Sequence, residues 1–135
     1  MSQFDARGLP AGQRLDADLE ISPAELAAVL RASPGKVTIV DVRTDPEWAF
    51  ARLEGSVHIP LDRLAAEAGR LSIPDDHVIA VMCHHGRRSI PGAMALREAG
   101  FGKAKSVAGG LEQWSLAIDA GVPRYKRDGL KVWPA

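Results

Sequence analysis

Hydrophobic and polar positions along this chain alternate between two rhythms, one fitting short helices and one fitting buried strands. The first seventeen residues carry Gly8, Pro10 and Gly12 and no apolar period. A short apolar run, Leu19 and Ile21, then meets Ser22-Pro23-Ala24-Glu25. Serine at the N-cap, proline at the first helical position and glutamate at the third predict a helix start with a capping box. Leu26, Val29 and Leu30 supply the i, i+3, i+4 stripe that follows, and Gly35 closes the helical region. Val37-Thr38-Ile39-Val40 is too short for a helix and apolar on both faces, which is how a central parallel strand reads.

The pattern repeats. Asp45 is the expected cap of a short helix with Pro46 first; Val57-His58-Ile59 is a brief strand ended by Pro60; Leu61 to Ala68 is an amphipathic turn or two. Val78 to Met82 is a second fully apolar strand that runs into Cys83. Ser89 opens a helix with Ala93, Met94 and Leu96 that stops at Gly100, and Lys105-Ser106-Val107 is a short strand. After Gly109-Gly110, Leu111 to Ala120 forms a last helix, stopped by Gly121 and Pro123. Such alternation demands right-handed crossovers and predicts an α/β fold: an open, doubly wound parallel sheet with helices on both faces. The organisation read from it is a loose N-terminal arm over 1–17, one folded domain over 18–125 and a polar C-terminal tail over 126–135, a surface strap or frayed end.

Composition narrows the classes. The chain has 135 residues, 46% hydrophobic and 25% charged, enough for one domain with a core of its own. Seventeen basic residues balance seventeen acidic ones, which argues against a nucleic-acid or polybasic membrane surface. No apolar run approaches a membrane span, and the opening segment lacks a signal-peptide core, so a cytoplasmic location is expected. The single cysteine, Cys83, rules out a disulfide framework and is either an inert small hydrophobe or a reactive thiol.

Its surroundings favour reactivity. In doubly wound sheets ligands bind beyond the carboxyl ends of the strands. Two segments fall there: Asp41-Val42-Arg43 after the first apolar strand and Cys83-His84-His85-Gly86-Arg87-Arg88-Ser89 after the second. If the second segment curls, its backbone N–H groups and the following helix N-terminus face the sulfur, and Arg87 and Arg88 add charge. For any thiol, a larger thiolate fraction is largely offset by weaker nucleophilicity as acidity rises. The greater service of such a cradle is to bind an anionic reactant and to stabilise an anion carried on sulfur.

Other candidates are weighed on the same terms. His84 and His85 are adjacent and tend to diverge; no CxxC or HxxxH supports them, so no metal and no cofactor is expected, and their role is to line the loop with partial positive charge. Arg43 and Glu47 lie four apart where a strand end meets a helix start, placed for a bidentate ion pair, while Asp41 is placed to accept from loop amides. Trp48 and Trp114 are expected to pack on the sheet. His58 and His77 belong to no constellation.

The chain resembles the single-domain rhodaneses, a sulfurtransferase family, from about Leu19 to Tyr125. The resemblance rests on Asp41-Val42-Arg43, Glu47-Trp48, Gly55 with His58-Ile59-Pro60, the loop CHHGRRS, and Gly109-Gly110-Leu111 with Trp114. It departs at Ala51-Arg52-Leu53, where the family often has Gly-His-Ile, and at Ser56, where alanine is commoner. The resemblance implies a five-stranded parallel sheet flanked by helices. It also implies a Cys83 nucleophile that takes a sulfane sulfur as a persulfide, held by the amides of His84, His85, Gly86, Arg87 and Arg88, with Ser89 ending the loop. Arg88 would point inward or clamp the loop.

The function expected is therefore sulfur transfer from a small anionic donor such as thiosulfate through Cys83 to cyanide, a thiol or a protein acceptor. With no second cysteine, the sulfur must be handed outward. Two alternatives stay open: a non-catalytic module whose cradle binds an anion or a partner, and cysteine phosphatase or arsenate reductase chemistry. The latter enzymes place five residues between cysteine and arginine, whereas four stand here, His84 to Arg87, which shrinks the cradle towards a single sulfur atom.

Overall fold

The computed structural model describes residues 3–135. Its frame is a sheet of five parallel strands: β1 (Glu20–Ile21), β2 (Val37–Asp41), β3 (Val57–His58), β4 (Val78–Met82) and β5 (Lys105–Val107), in the order β1-β5-β4-β2-β3. The helices are α1 (Pro23–Ala32), α2 (Asp45–Phe50), α3 (Leu61–Glu67), α4 (Ser89–Glu98) and α5 (Gly110–Ala117). No helix among the described residues is long and apolar enough to cross a membrane.

Strand alternation divides the core in two. Ile39, Ala80 and Met82 face one layer with Leu26 of α1 and Leu111 and Trp114 of α5. Val40, Ile79 and Val81 face the other, with Leu64 of α3 and Ala93 and Leu96 of α4. The double apolar character of β2 and β4 thus has its cause: each is covered on both faces, as a doubly wound sheet requires. Trp114 is core, 5% exposed, as expected.

Local signals hold with small shifts. The Glu25 amide donates to Ser22 Oγ at 3.1 Å, so Ser22 caps α1. At α2 the cap is Thr44 rather than the expected Asp45, with the Thr44 amide donating to Glu47 Oε1 at 3.2 Å. Helix α5 ends at Ala117, three residues before Ala120.

Both ends of the chain are more ordered than the sequence pattern predicted. The arm is docked: Leu9 is fully buried, Gln113 Nε2 of α5 donates to the Gly8 carbonyl at 2.8 Å, and the Ala24 amide donates to Arg7 O. The tail forms an antiparallel hairpin, β6 (Tyr125–Asp128) and β7 (Lys131–Pro134), with Asp128 opposite Lys131.

The topology fixes where chemistry can occur. The chain leaves β2 towards β3 and then crosses to β4 on the other side of β2, so the order reverses between β2 and β4. These two strands run in register, Asp41 beside Met82, and the Val42 amide donates to Met82 O. Asp41–Arg43 and the Cys83 loop therefore emerge side by side at the switch-point crevice.

Candidate active site

Cys83 follows β4 directly and opens the loop that ends in α4. The loop does curl: the Gly86 amide donates to Cys83 Sγ at 3.1 Å. Ser89 Oγ lies 3.2 Å from the same sulfur and 2.7 Å from Ser106 Oγ of β5, so a buried pair of hydroxyls backs it.

The curl is enforced from the far side by α5. The Leu111 amide donates to Cys83 O at 2.8 Å, and the Glu112 amide donates to His84 O at 3.0 Å. The peptide bonds are trans, so with these carbonyls turned towards α5 the N–H groups of His84 and His85 point away from it. Two glycines permit the approach. A Cβ on Gly110 (φ +63°) would stand 2.5 Å from His84 O, and one on Gly86 (φ +86°) would stand 2.7 Å from Gly109 N.

Accessibility differs from expectation. A reactive thiol should meet water, yet Cys83 is only 1% exposed and packs among Val40, Val42 and Ile59. Its burial follows from the strand end: β4 is covered on both faces, and the loop closes over the sulfur instead of opening above it.

The charged partners are also rearranged. Glu47 was expected to pair with Arg43, but its carboxylate, fully buried, takes Arg88: Nη1 to Oε1 at 2.7 Å and Nη2 to Oε2 at 2.8 Å. Arg88 therefore clamps the loop to α2, one of its two expected placements. Arg43 turns instead to Asp41, with Nη2 2.7 Å from Oδ2 and Nε 2.9 Å from Oδ1. Two residues apart on extended chain, their side chains leave on the same side. Asp41 accepts from Arg43, including its amide at 3.0 Å, not from the cysteine loop as expected. Arg43 reaches Glu47 only at its carbonyl, and it also holds Ala51 O at 2.6 Å.

Tyr125 ties these groups together, and sequence reasoning gave it no role. Its hydroxyl donates to Glu47 Oε2 at 2.6 Å and accepts from Arg43 Nη1 at 3.1 Å, while its ring stacks on His84 at 3.9 Å. Arg127, two residues further along β6, brings Nε within 3.8 Å of Glu47 Oε2. Burial alone would push the Glu47 carboxyl up; the hydrogen bonds from Arg88 and Tyr125 overcome it and hold the group at about 2. Burial raises the Tyr125 phenol above its ordinary range.

The two histidines also depart from expectation. They do not diverge: their rings lie 3.9 Å apart at 40°. His84 is 4% exposed, and burial, aided by neighbouring His85, lowers its pKa to about 4, so it is neutral near pH 7 and does not supply the expected positive charge. His85 and Arg87 are exposed at the rim. Trp48 stacks on His58 at 4.6 Å, and His58 Nε2 donates to Arg43 O at 2.8 Å, so both brace the Asp41–Arg43 edge.

The family model described as Rhodanese-like domain matches residues 22–117. The chain belongs to the rhodanese-like family. Among solved structures, a rhodanese-like domain protein from Staphylococcus aureus shares 29% identity and a TM-score of 0.65, over 80% of this chain and 99% of that one. Among curated proteins, the adenylyltransferase and sulfurtransferase uba4 of Ogataea parapolymorpha is 32% identical over 111 residues, which are 82% of this chain and 27% of that protein. The putative sulfur carrier protein YrkF of Bacillus subtilis is 36% identical over 83 residues, 62% of this chain and 44% of that protein. This rhodanese-like domain thus spans less than half the length of those relatives, and the hairpin bearing Tyr125 and Arg127 lies beyond the residues that the family model matches.

Proposed function

We propose that the chain is a sulfurtransferase acting by double displacement through Cys83. The Cys83 thiolate attacks the sulfane sulfur of an anionic donor such as thiosulfate; the new S–S bond forms as the donor's S–S bond breaks, and sulfite leaves with that electron pair. Cyanide, a thiol or a protein thiol then attacks the outer sulfur of the persulfide and releases Cys83 as thiolate. The observation that carries this reading is the Gly86 amide bonded to Cys83 Sγ within a loop whose first two carbonyls are held away by α5. A loop so turned presents N–H groups to an anion on sulfur without reorganising during the reaction. Ser89, on the same sulfur, adds a hydroxyl donor, and Ser106 can supply the proton that keeps Ser89 oriented towards sulfur. Arg88, spent on Glu47, positions the loop.

Incubation with thiosulfate followed by intact-mass measurement tests the reading. Gain of one sulfur atom in the wild type, absent in Cys83→Ala, and thiocyanate formed from cyanide are the expected results. An unmodified Cys83 with no thiocyanate overturns it. One observation, the 1% exposure of Cys83, favours a second reading in which the cradle binds a partner without turnover. Partner binding lost alike in Cys83→Ser and Arg88→Ala, with an inactive wild type, is the outcome that would select it.

A further inference from the structure

The N-terminal arm lies outside the residues matched to the family, yet it packs on the turn that holds the cysteine loop. Local bonds close residues 4–10 into a compact loop. Phe4 bridges Pro10, the Asp5 amide donates to Leu9 O at 2.9 Å, and the Gly8 amide donates to Asp5 O at 3.0 Å. The Arg7 guanidinium grips the Asp5 carboxylate, with Nη2 2.7 Å from Oδ2. Gly8 and Leu9 are thereby presented as a preformed wedge between α1 and α5. The wedge fits closely: a Cβ on Gly8 (φ +79°) would stand 3.2 Å from Pro23 Cβ and 3.6 Å from Ala117 Cβ.

At its tip the wedge meets the Gly109-Gly110 turn. Leu9 is fully buried, and a Cβ on Gly109 (φ +77°) would stand 3.7 Å from Leu9 Cδ2 and would run into the Gln113 side chain. Gln113, also buried, therefore lies across Gly109 and reaches the arm with its amide, donating to Gly8 O at 2.8 Å. The same turn is the surface on which the cysteine loop rests. Gly109 N is the atom that a Cβ on Gly86 would strike, and the amides of Leu111 and Glu112 hold Cys83 O and His84 O. Interiors are packed without slack, so removing the arm's contacts leaves space into which the turn relaxes.

Resting on the proposed function, we infer that Leu9 and Gln113 are positioning residues for sulfur transfer: they fix the Gly109-Gly110 turn and, through it, the curl of the loop around Cys83. Both act through other residues, and their service falls in the step where charge builds on the sulfur. When cyanide takes the sulfur, its carbon bonds to the outer persulfide sulfur, the bond to Cys83 Sγ breaks, and Cys83 leaves with the electron pair as thiolate. The Gly86 amide, which donates to Sγ, stabilises that leaving thiolate only while the loop keeps its curl. A misplacement of about 1 Å, set from outside a site, costs on the order of 100-fold in rate. Loss of one of the two arm contacts should cost less.

The test uses the full chain, loaded with sulfur from thiosulfate, freed of donor and mixed with excess cyanide in a single turnover. Quenched-flow sampling of thiocyanate gives a rate constant and an amplitude. A role in folding alone would lower the amplitude, which counts active molecules, and leave the rate constant. Leu9→Ala should lower the rate constant about tenfold, and Leu9→Met, of similar volume, should keep it within about twofold of wild type. Gln113→Met keeps a side chain over Gly109 and drops only the bond to Gly8; it should lower the rate constant about threefold, and it decides the matter if Leu9→Ala does not fold. Phe101→Ala removes a partly buried ring at the opposite end of the sheet, before β5, and should lower the urea midpoint without changing the rate constant. A rate constant unchanged in folded Leu9→Ala or in Gln113→Met, or lowered equally in Phe101→Ala, overturns the inference, while thiocyanate formed by the wild type leaves the sulfur-transfer reading standing. Absence of thiocyanate and of a persulfide mass in the wild type overturns both.

Discussion

The carboxylate of Glu47 and the guanidinium of Arg88 form a two-pronged pair, 2.7 and 2.8 Å, between residues 41 apart in the chain. Glu47 is fully buried, so its charge depends on that partner and on Tyr125. Arg88→Met leaves the carboxylate buried with its main counter-charge gone. A loss of about 3 kcal/mol is expected, in the range for breaking one side of a buried pair. The urea midpoint measures it. Sulfur transfer should fall as well, because the loop loses its anchor on α2.

Acid should destabilise the domain in two stages. His84 is held at about 4 against an ordinary 6.5. The unfolded chain binds that proton first, so stability contributed by the neutral imidazole is present above about pH 6.5 and is lost as pH falls towards 4. The loss amounts to at most about 3 kcal/mol. Glu47, held at about 2 against 4.5, contributes stability above pH 4.5 that is lost as pH falls towards 2. His84→Phe keeps the stack on Tyr125 and should flatten the first stage alone. Urea midpoints at pH 7, 5.5 and 4.5 give the slope, and an unchanged slope in the variant would be the contrary result.

Gly86→Ala should be disproportionately costly for one methyl group. Its positive φ disfavours any side chain, and the new Cβ would stand 2.7 Å from the Gly109 backbone nitrogen. A destabilisation above about 1 kcal/mol is expected, together with a loss of thiosulfate turnover, because relieving the clash moves the amide that donates to Cys83 Sγ. Thermal unfolding and initial rates on the same preparation report both effects.

The two hydroxyls behind the sulfur should be unequal. Ser89→Ala removes a donor from Cys83 itself, worth about tenfold in the rate of persulfide formation. Ser106→Ala acts only by freeing Ser89 to turn, and should cost less. Stopped-flow of the first half-reaction separates them; equal effects would mean that the pair matters to packing and not to charge on sulfur.

Much of the frame could be read from the chain because its signals are local. β2 and β4 are apolar on both faces, and the capped start of α1 and the Gly86 spacing after Cys83 each span only a few residues. The partners could not be read so, because they are set by which strands lie side by side. Glu47 finds Arg88 through the adjacency of β2 and β4, and Tyr125 finds Glu47 across 78 residues. Leu9, a lone apolar residue among glycine and proline, carries no period that announces its burial. The hairpin did leave a clue. Asp128 precedes a two-residue turn, Gly129-Leu130, with glycine at positive φ where such turns favour it. The polar residues around it masked the strand pattern.

The grip of Leu111 and Glu112 on the carbonyls of Cys83 and His84 has a consequence for biogenesis. A nascent chain that has emerged from the ribosome as far as β4 and α4 carries the sulfhydryl but not the peptide groups that orient its surroundings. Competence for chemistry is withheld until fourteen residues more, Ala99 to Glu112, have emerged. Under the proposed function, a half-made polypeptide would thereby be kept from capturing reactive sulfur before it has folded.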